Sequence, residues 1–253
     1  MNAPAAPPFA VAAGLAKSFG PERVLDGAGF SLPRESVLAI LGRSGGGKTT
    51  LLKILAGLVP ADAGRFHLGG VDLTAAPPER RQVVYLYQEP LLFPHLDVRE
   101  NLAFGLRLRR LGEPAIRARL DPLIARLGLA PHLKKMPAQL SGGQRQRGAF
   151  GRALAIQPPL LLLDEPFGSL DAATRAEMQR LFREVARQVA ITAIFVTHDV
   201  KEALVVGDRF ALLESGRLRP FADRAAFVAD PASGAAREIA FWQSLAAPAP
   251  RLE

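Results

Sequence analysis

The chain has 253 residues, of which 49% are hydrophobic and 22% charged, a composition typical of a globular protein. Because it contains no cysteine, disulfide bonds, thiolate catalysis and cysteine-ligated metals are excluded. Its net charge of +8 admits a nucleic acid or an anionic membrane as partner, but a solvated basic surface is the simpler interpretation.

The amino-terminal segment and the hydropathy of the chain bear on its location. Residues 1–9 contain three prolines and no basic residue, so we expect a frayed tail rather than a signal peptide. No uninterrupted apolar run reaches the roughly 18 residues that a membrane-spanning helix needs. We therefore expect a cytoplasmic protein.

A predicted strand, a glycine-rich turn and a predicted helix follow one another at residues 37–58. The apolar run at residues 37–41 indicates a buried strand, and apolar residues recur at helical spacing over residues 49–58. The turn fits the phosphate-loop pattern G-x-x-x-x-G-K-S/T. Its N–H groups would bind phosphates, Lys48 would reach the β- and γ-phosphates, and the Thr49 hydroxyl would bind Mg²⁺. The residues predicted to hold the nucleotide here are Gly42, Ser44, Gly45, Gly46, Gly47, Lys48, Thr49 and Thr50.

The segment from about residue 90 to 156 has the pattern of helices. Apolar residues recur at spacings of three and four between arginines, which predicts an amphipathic helix. These residues are Ile116, Leu120, Leu123, Ile124 and Leu127. Pro122 lies inside the pattern and is expected to kink or split this helix. We interpret the segment as a helical subdomain inserted in a nucleotide-binding core of about residues 9–89 and 157–225.

A second glycine-rich turn precedes a helix predicted at residues 144–155. Ser141 is of a type that caps helices, and Gly142 and Gly143 leave backbone N–H groups accessible. The turn therefore predicts a second anion-binding site.

Two further apolar runs, at residues 160–163 and 194–196, each predict a strand that ends at polar residues. A helix predicted at about residues 172–189 separates them, and this alternation indicates a parallel sheet with its site at the strand carboxyl ends. Asp164 is expected to hold Mg²⁺ through water, and Glu165 to act as general base on the attacking water. Beyond residue 208 we predict two short strands, a terminal helix and an extension over about residues 226–253.

The order of these motifs resembles that of ATP-binding cassette (ABC) ATPases, the motor subunits of ABC transporters. The phosphate loop comes first, then Leu140-Ser141-Gly142-Gly143-Gln144, then the four leucines before Asp164. The resemblance covers roughly residues 10–225. It implies an α/β fold: a P-loop NTPase (RecA-like) core with a parallel-rich sheet, an N-terminal antiparallel β part and an inserted α-helical subdomain. It also implies a single ABC ATPase domain over residues 1–253.

The resemblance also implies roles for residues that the local pattern does not assign. Gln88 matches the glutamine loop, which contacts Mg²⁺ and the attacking water. His198 matches the switch histidine, expected to contact the γ-phosphate and to hold Glu165 and the water in place. Phe19 falls where the family stacks an aromatic ring on adenine, and Asp171 belongs to a segment that looks like the D-loop, which crosses to the partner subunit.

The second glycine-rich turn has its implied role in a dimer. In the family, two chains pair head to tail, so that Ser141, Gly142, Gly143 and Gln144 would close on ATP held by the other chain. Hydrolysis would remove the bridging γ-phosphate and separate the two chains of the homodimer.

The type of cassette is indicated by residues 89–106, which are similar to importer subunits for sugars, polyamines, ferric iron, sulfate and molybdate. In those subunits the region forms a groove for a permease helix. The resemblance thus implies an ATP- and Mg²⁺-dependent importer subunit on the inner face of the membrane. Its expected partners are a permease and an external substrate-binding protein, not nucleic acid. Many such importers continue past 300 residues with a regulatory β-domain, and because this chain ends at Glu253 we do not expect that domain's binding functions.

Three alternatives remain open. A separate-subunit exporter or lipid-moving cassette would carry the same motifs. The charge of +8 would also fit a soluble ATPase that acts on nucleic acid. A catalytically idle subunit is the third, against which the intact Lys48, Glu165 and His198 argue. The transported substrate is not encoded in these motifs.

Overall fold

The computed structural model describes residues 8–246, whose strands form two sheets. In chain order the strands are β1 (Pro8–Phe19), β2 (Glu22–Pro33), β3 (Val37–Leu41), β4 (Ala63–Leu68), β5 (Val71–Asp72), β6 (Val83–Leu86), β7 (Leu160–Asp164), β8 (Ala193–Thr197), β9 (Arg209–Glu214) and β10 (Arg217–Pro220). The helices are α1 (Lys48–Ala56), α2 (Pro78–Arg81), α3 (Val98–Leu108), α4 (Glu113–Arg126), α5 (Gly142–Ala155), α6 (Ala172–Gln188), α7 (Val200–Val206), α8 (Arg224–Ala229) and α9 (Ala235–Ala246).

The larger sheet has the strand order β10-β9-β3-β8-β7-β6 in the described part of the chain. The strands from β9 to β6 pair in parallel, and β10 pairs antiparallel with β9. All residues of β3, β7 and β8 are buried, which explains why these strands are continuous apolar runs in the sequence. The strands predicted at residues 37–41, 160–163 and 194–196 are therefore confirmed.

The smaller sheet is antiparallel, with the order β2-β1-β4-β5. Together with α1 it covers one face of the larger sheet: Leu25, Leu51 and Phe66 share a core with Leu160 and Leu162. The alternate residues of β7 point to the other face, where they pack with the helices α3 to α7. Both faces of the parallel sheet are thus buried, and its strand ends remain for the site.

The helices α3, α4 and α5 come between β6 and β7 in the chain and form the inserted helical part. α3 begins with a reciprocal cap, in which Glu100 N–H donates to Asp97 and Asp97 N–H donates to Glu100. The amphipathic pattern predicted for α4 is confirmed, since Ile116, Leu120 and Leu123 are buried. The α/β class with a P-loop core, an antiparallel β part and a helical insert is confirmed, whereas the exact domain boundaries stay a prediction.

Three local expectations need correction. Of the kink or split expected at Pro122, the split is wrong, because α4 continues through Pro122 to Arg126. Proline removes the N–H that would bond the carbonyl of Ala118, and both residues are exposed, so water can satisfy that carbonyl. α1 ends at Ala56, before the predicted residue 58, because Gly57 adopts φ = 78° and terminates the helix. α5 begins at Gly142, two residues earlier than predicted.

The chain ends also differ from expectation. The frayed tail predicted for residues 1–9 is wrong for Pro8 and Phe9, which belong to β1. Two helices, α8 and α9, follow β10 where one was predicted. Residues 1–7 and 247–253, which include the end of the extension predicted over about residues 226–253, lie outside the described residues. Between residues 8 and 246, no helix is both long and apolar enough to cross a bilayer.

Candidate functional site

The phosphate-loop turn connects the end of β3 to α1 and is fixed from several sides. Gly42 N–H donates to the carbonyl oxygen of Thr197 at the end of β8, 3.2 Å away. Gly47, the N-cap of α1, has φ = 91°, and a Cβ there would lie 2.9 Å from the carbonyl oxygen of Val24. Only glycine fits this position, and it leaves the first N–H groups of α1 without a side-chain partner.

A cavity of about 390 Å³ lies in front of this turn. It is lined by Phe19, Val24, Ser44, Gly45, Gly47, Lys48, Thr49, Thr50, Gln88, Asp164 and Glu165. Four separate segments of the chain thus bring ten of the predicted site residues together, and Val24 is the one lining residue that sequence reasoning missed. Phe19 is one of the lining residues and is 50% exposed, so part of its side chain is accessible to a ligand.

The two carboxylates after β7 have different partners. Asp164 Oδ1 accepts a hydrogen bond of 3.1 Å from Thr49 Oγ1. Glu165 Oε1 lies 3.2 Å from Lys48 Nζ, and its Oε2 lies 2.9 Å from His198 Nδ1. The chain turns sharply between them, because Glu165 has φ = 44°. The turn directs the adjacent carboxylates to different partners, Asp164 to the Thr49 hydroxyl and Glu165 to two basic side chains.

Lys48 is only 5% exposed, and its ammonium group lies among three oxygen atoms. Besides the contact with Glu165, its Nζ donates to the carbonyl oxygens of Gly42 at 2.9 Å and Arg43 at 3.0 Å. The loop thus wraps around the ammonium group and aligns it with the cavity.

Tyr85, on β6, is a contact of the site that sequence reasoning did not single out. Its hydroxyl donates to Asp164 Oδ2 over 2.6 Å. Burial, followed by this contact with a carboxylate, raises the pKa of Tyr85 above its ordinary value, so the phenol keeps the proton that it donates. The missing signal is strand register: Tyr85 lies opposite Leu162, and only the pairing of β6 with β7 shows this.

A buried polar network lies behind His198. Thr197 Oγ1 donates to Glu202 Oε2 at 2.6 Å and accepts from Asp199 N–H at 3.0 Å. Gln179 donates to Glu202 Oε1 at 3.2 Å. Glu202 is 4% exposed, and burial raises the pKa of its carboxyl group. The network connects α6, the end of β8 and α7, and so sets the backbone from which His198 projects.

The second glycine-rich turn does not line the cavity. Ser141 Oγ accepts from Gln144 N–H at 3.3 Å, and Gln144 Oε1 accepts from Ser141 N–H at 3.0 Å, so the two residues cap α5 reciprocally. Asp171 caps α6 by accepting from Thr174 N–H at 3.0 Å. Gly42, Gly46 and His198 do not line the cavity either. The N–H group of Gly46 donates to the carbonyl oxygen of Arg43 within the phosphate loop.

The groups around the cavity fit a nucleotide with Mg²⁺. Backbone N–H groups at a helix N-terminus and a lysine are suitable donors for phosphate oxygens. The Thr49 hydroxyl and the Asp164 carboxylate, 3.1 Å apart, are the hard oxygen ligands that Mg²⁺ prefers when phosphates supply the rest. Gln88 also lines the cavity and lies near the turn that follows Glu165, since a Cβ at Gly168 would lie 3.1 Å from Gln88 Nε2.

The region predicted to receive a permease helix begins beside Gln88. Leu91 is 52% exposed, whereas Leu92 is buried. The Phe93 ring packs on the Phe104 ring, with centroids 4.4 Å apart, and the Arg152 guanidinium lies 4.7 Å from the Phe93 centroid. The segment is therefore anchored to α3 and α5 while an apolar side chain stays on the surface.

Comparisons with known proteins find matches over most of this chain. The family model described as "ABC transporter" matches residues 25–168. The sulfate/thiosulfate import ATP-binding protein CysA of Mycobacterium tuberculosis (strain H37Rv) is 46% identical over 208 residues, which are 82% of this chain and 59% of that protein. The CysA protein of Xanthomonas campestris pv. campestris is 47% identical over 223 residues, which are 87% of this chain and 65% of that protein. The CysA protein of Bacillus cereus is 43% identical over 224 residues, which are 87% of this chain and 63% of that protein. The chain spans less than two thirds of the length of these relatives.

Proposed function

The chain belongs to the ABC transporter family, and from that membership we propose that it is the ATP-hydrolysing motor subunit of an ABC importer. The observation that carries the proposal is the convergence of Lys48, Thr49, Gln88, Asp164 and Glu165 on one cavity of about 390 Å³. This set supplies a hydrogen-bond donor for phosphate oxygens, oxygen ligands for a divalent cation and a carboxylate base. Together these are the requirements of phosphoryl transfer to water.

In the proposed reaction, a water oxygen attacks the γ-phosphorus, the bond to the ADP oxygen breaks, and Glu165 takes the proton of the water. Bound Mg²⁺ would supply charge neutralisation on the β- and γ-phosphate oxygens. Thr49, Asp164 and Gln88 are the residues that would hold it. His198 lies 2.9 Å from Glu165 Oε2 and orients that carboxylate.

Lys48 couples nucleotide binding to the base. Its Nζ donates to the carbonyl oxygens of Gly42 and Arg43 and forms an ion pair with Glu165. A bound phosphate would compete with the Glu165 carboxylate for this ammonium group. Release of Glu165 would leave that carboxylate with His198 and free one of its oxygens for water, so we propose that the base becomes available when Lys48 changes partner.

The importer assignment rests on residues 89–106 and on the import function that the relatives' names state. In this proposal the exposed Leu91 side chain is part of a groove that receives a helix of a separate membrane permease, which places the chain at the inner face of the membrane. Ser141, Gly142, Gly143, Gln144 and Asp171 act across a head-to-tail homodimer. An external binding protein would deliver the substrate, and sulfate or thiosulfate, named for the relatives, is the first cargo to test.

The test is affinity purification of tagged Glu165→Gln protein from gently solubilised cells with ATP present, followed by mass spectrometry. We expect a multi-span permease together with a substrate-binding protein. The matched control is tagged Lys48→Ala protein, which should recover less permease because it cannot hold the nucleotide. A permease without a binding protein would favour an exporter, and recovery of nucleic acid or repair proteins alone would overturn the transport proposal.

A further inference from the structure

The carboxylate of Asp164 is held by one donor on each oxygen. Thr49 Oγ1 donates to Oδ1 over 3.1 Å, and the Tyr85 hydroxyl donates to Oδ2 over 2.6 Å. Thr49 lines the cavity, whereas Tyr85 does not. Asp164 Oδ1 thus faces the Thr49 hydroxyl expected to bind Mg²⁺, and Asp164 Oδ2 is hydrogen-bonded to a side chain of the neighbouring strand β6.

The contact with Tyr85 follows from the pairing of β6 with β7. Tyr85 lies opposite Leu162, and Asp164 follows Leu162 by two residues on the same face of the sheet. The Tyr85 ring is partly buried against the core beneath α1, and its hydroxyl extends along the strand direction to the carboxylate. A phenylalanine would fill the same space but would donate nothing to Asp164.

The bond is of the strong kind. A hydroxyl that donates to a carboxylate over 2.5–2.7 Å is charge-assisted, and such bonds are roughly twice as strong as those between neutral groups. A donor on one oxygen also restricts rotation of the carboxylate about its Cβ–Cγ bond. Without it, Asp164 would have only the longer bond from Thr49, a residue that must itself turn to a cation.

We propose that Tyr85 is a positioning residue for the divalent-cation site: its hydroxyl fixes the Asp164 carboxylate so that Oδ1 and Thr49 Oγ1 face the cation together. The inference rests on the proposed function, because it takes Thr49 and Asp164 as the residues that hold Mg²⁺. Residues that orient a metal-binding carboxylate commonly change metal affinity by about 10–100-fold when they are removed.

The experiment compares Tyr85→Phe with Tyr87→Phe. Tyr87 offers a matched control, since it is a tyrosine two residues further on, packs on the Tyr85 ring at 4.6 Å between centroids and is 41% exposed. Each variant loses one phenol oxygen, but only Tyr85 bonds Asp164. Paramagnetic Mn²⁺, which takes the same oxygen ligands as Mg²⁺, is titrated into a stoichiometric complex of protein and a non-hydrolysable ATP analogue, and water-proton relaxation reports the bound ion.

We expect Tyr85→Phe to bind Mn²⁺ about 10-fold or more weakly, and Tyr87→Phe to bind it as the unchanged protein does. Affinity for the analogue in the presence of a chelator should be the same in all three proteins. Equal Mn²⁺ affinity of the two variants would overturn the inference. So would a loss of analogue affinity in chelator, because Tyr85 would then support the whole loop and not the cation site.

A second measurement separates positioning from general packing. In an Asp164→Asn background the carboxylate is already gone, so Tyr85→Phe should cause no further loss of Mn²⁺ binding. An additional loss as large as in the unchanged background would show that Tyr85 acts by another route. If the unchanged protein bound neither the analogue nor Mn²⁺, the proposed function would fail and not this inference alone.

Discussion

Glu165 occupies a backbone conformation that few residues other than glycine adopt, with φ = 44°. Its side chain is held by Lys48 Nζ at 3.2 Å and His198 Nδ1 at 2.9 Å. Strained backbone of this kind persists where the surroundings impose it, and it occurs frequently at active sites. Here the backbone conformation turns the Glu165 carboxylate away from the Asp164 side chain and towards Lys48 and His198.

The first prediction concerns this carboxylate. Glu165→Gln keeps the shape of the side chain but cannot take a proton, so phosphate release should fall by about 10²–10⁴-fold. Affinity for a fluorescent ATP analogue should stay equal or increase, because Lys48 no longer has an anionic partner within the chain. The exposed Glu89, close to Gln88 in the chain, provides the control Glu89→Gln. Hydrolysis at the unchanged rate would show that Glu165 is not the base.

Glu202 leads to a prediction about pH. Burial raises its pKa above the ordinary 4.5, so the folded chain keeps the proton at pH values where the unfolded chain has lost it. The protonated carboxyl group of Glu202 therefore stabilises the folded chain. This stabilisation is fully present below the ordinary pKa of glutamate and is lost as pH rises through the raised pKa of Glu202. Above the raised pKa the ionised carboxylate therefore costs free energy of folding, offset in part by the bonds from Thr197 and Gln179.

Glu202→Gln removes this ionisation while it keeps an oxygen that can accept from Thr197. We expect the free energy of unfolding of the variant, relative to the unchanged protein, to be higher at about pH 8 than at about pH 5, measured by urea titration. Glu184→Gln, at an exposed position of α6, is the control and should give no pH-dependent difference. A difference between the Glu202 variant and the unchanged protein that does not vary with pH would contradict the linkage.

At the scale of elements, Arg81 holds the carboxyl end of α1. This guanidinium is 5% exposed and donates to four carbonyl oxygens: those of Ile54 (2.7 Å), Leu55 (3.0 Å), Thr74 (3.1 Å) and Ala76 (2.7 Å). Two of these belong to the last turn of α1, where a cation interacts favourably with the helix dipole. Arg81 thus fixes the far end of the helix whose other end meets the cavity.

Replacement of Arg81 by methionine should lower the free energy of unfolding by about 1–3 kcal/mol, because buried carbonyls lose their donor. Arg81→Lys should recover only part of this, since an ammonium group cannot reach four carbonyls in a plane. The neighbouring Arg80 is exposed, and Arg80→Met is the matched control in the same short helix. Similar denaturation midpoints for the two methionine variants would rule out the proposed role of Arg81.

At the scale of the whole molecule, the two glycine-rich turns lie in separate places. The first faces the cavity, and the second starts α5 without lining it. In the head-to-tail dimer that we propose, the second turn of one copy would complete the nucleotide site that the first turn forms in the other.

The pairing predicts that Glu165→Gln protein forms an ATP-dependent dimer, measured by size-exclusion chromatography with light scattering. Adding Ser141→Arg should abolish the dimer by bulk at the interface, although analogue binding to one chain should persist. The lost helix cap costs only about 1 kcal/mol, so the variant should fold. Ser31→Arg, on the exposed side of β2, is the control. A dimer that survives Ser141→Arg would place the interface elsewhere.

The sequence alone was enough to predict β3, the phosphate loop and α1, together with β7, β8 and the polar residues at their ends. These features depend on short-range order: a buried strand needs a continuous apolar run, and a phosphate loop needs its glycines and lysine at fixed spacing. Parallel strands place their carboxyl ends at one edge of the sheet, so the position of Asp164 at the end of β7 places its carboxylate at that edge, whereas the role expected of His198 came from the family resemblance.

Tertiary structure decided the contacts that depend on register and packing between distant segments. Tyr85 reaches Asp164 because β6 pairs with β7, and Arg81 caps α1 because α2 packs beneath its end. Pro122 is accommodated because its side of α4 faces water. None of these has a local signal, since each depends on which residues become neighbours when the chain collapses and on which polar groups then need a partner.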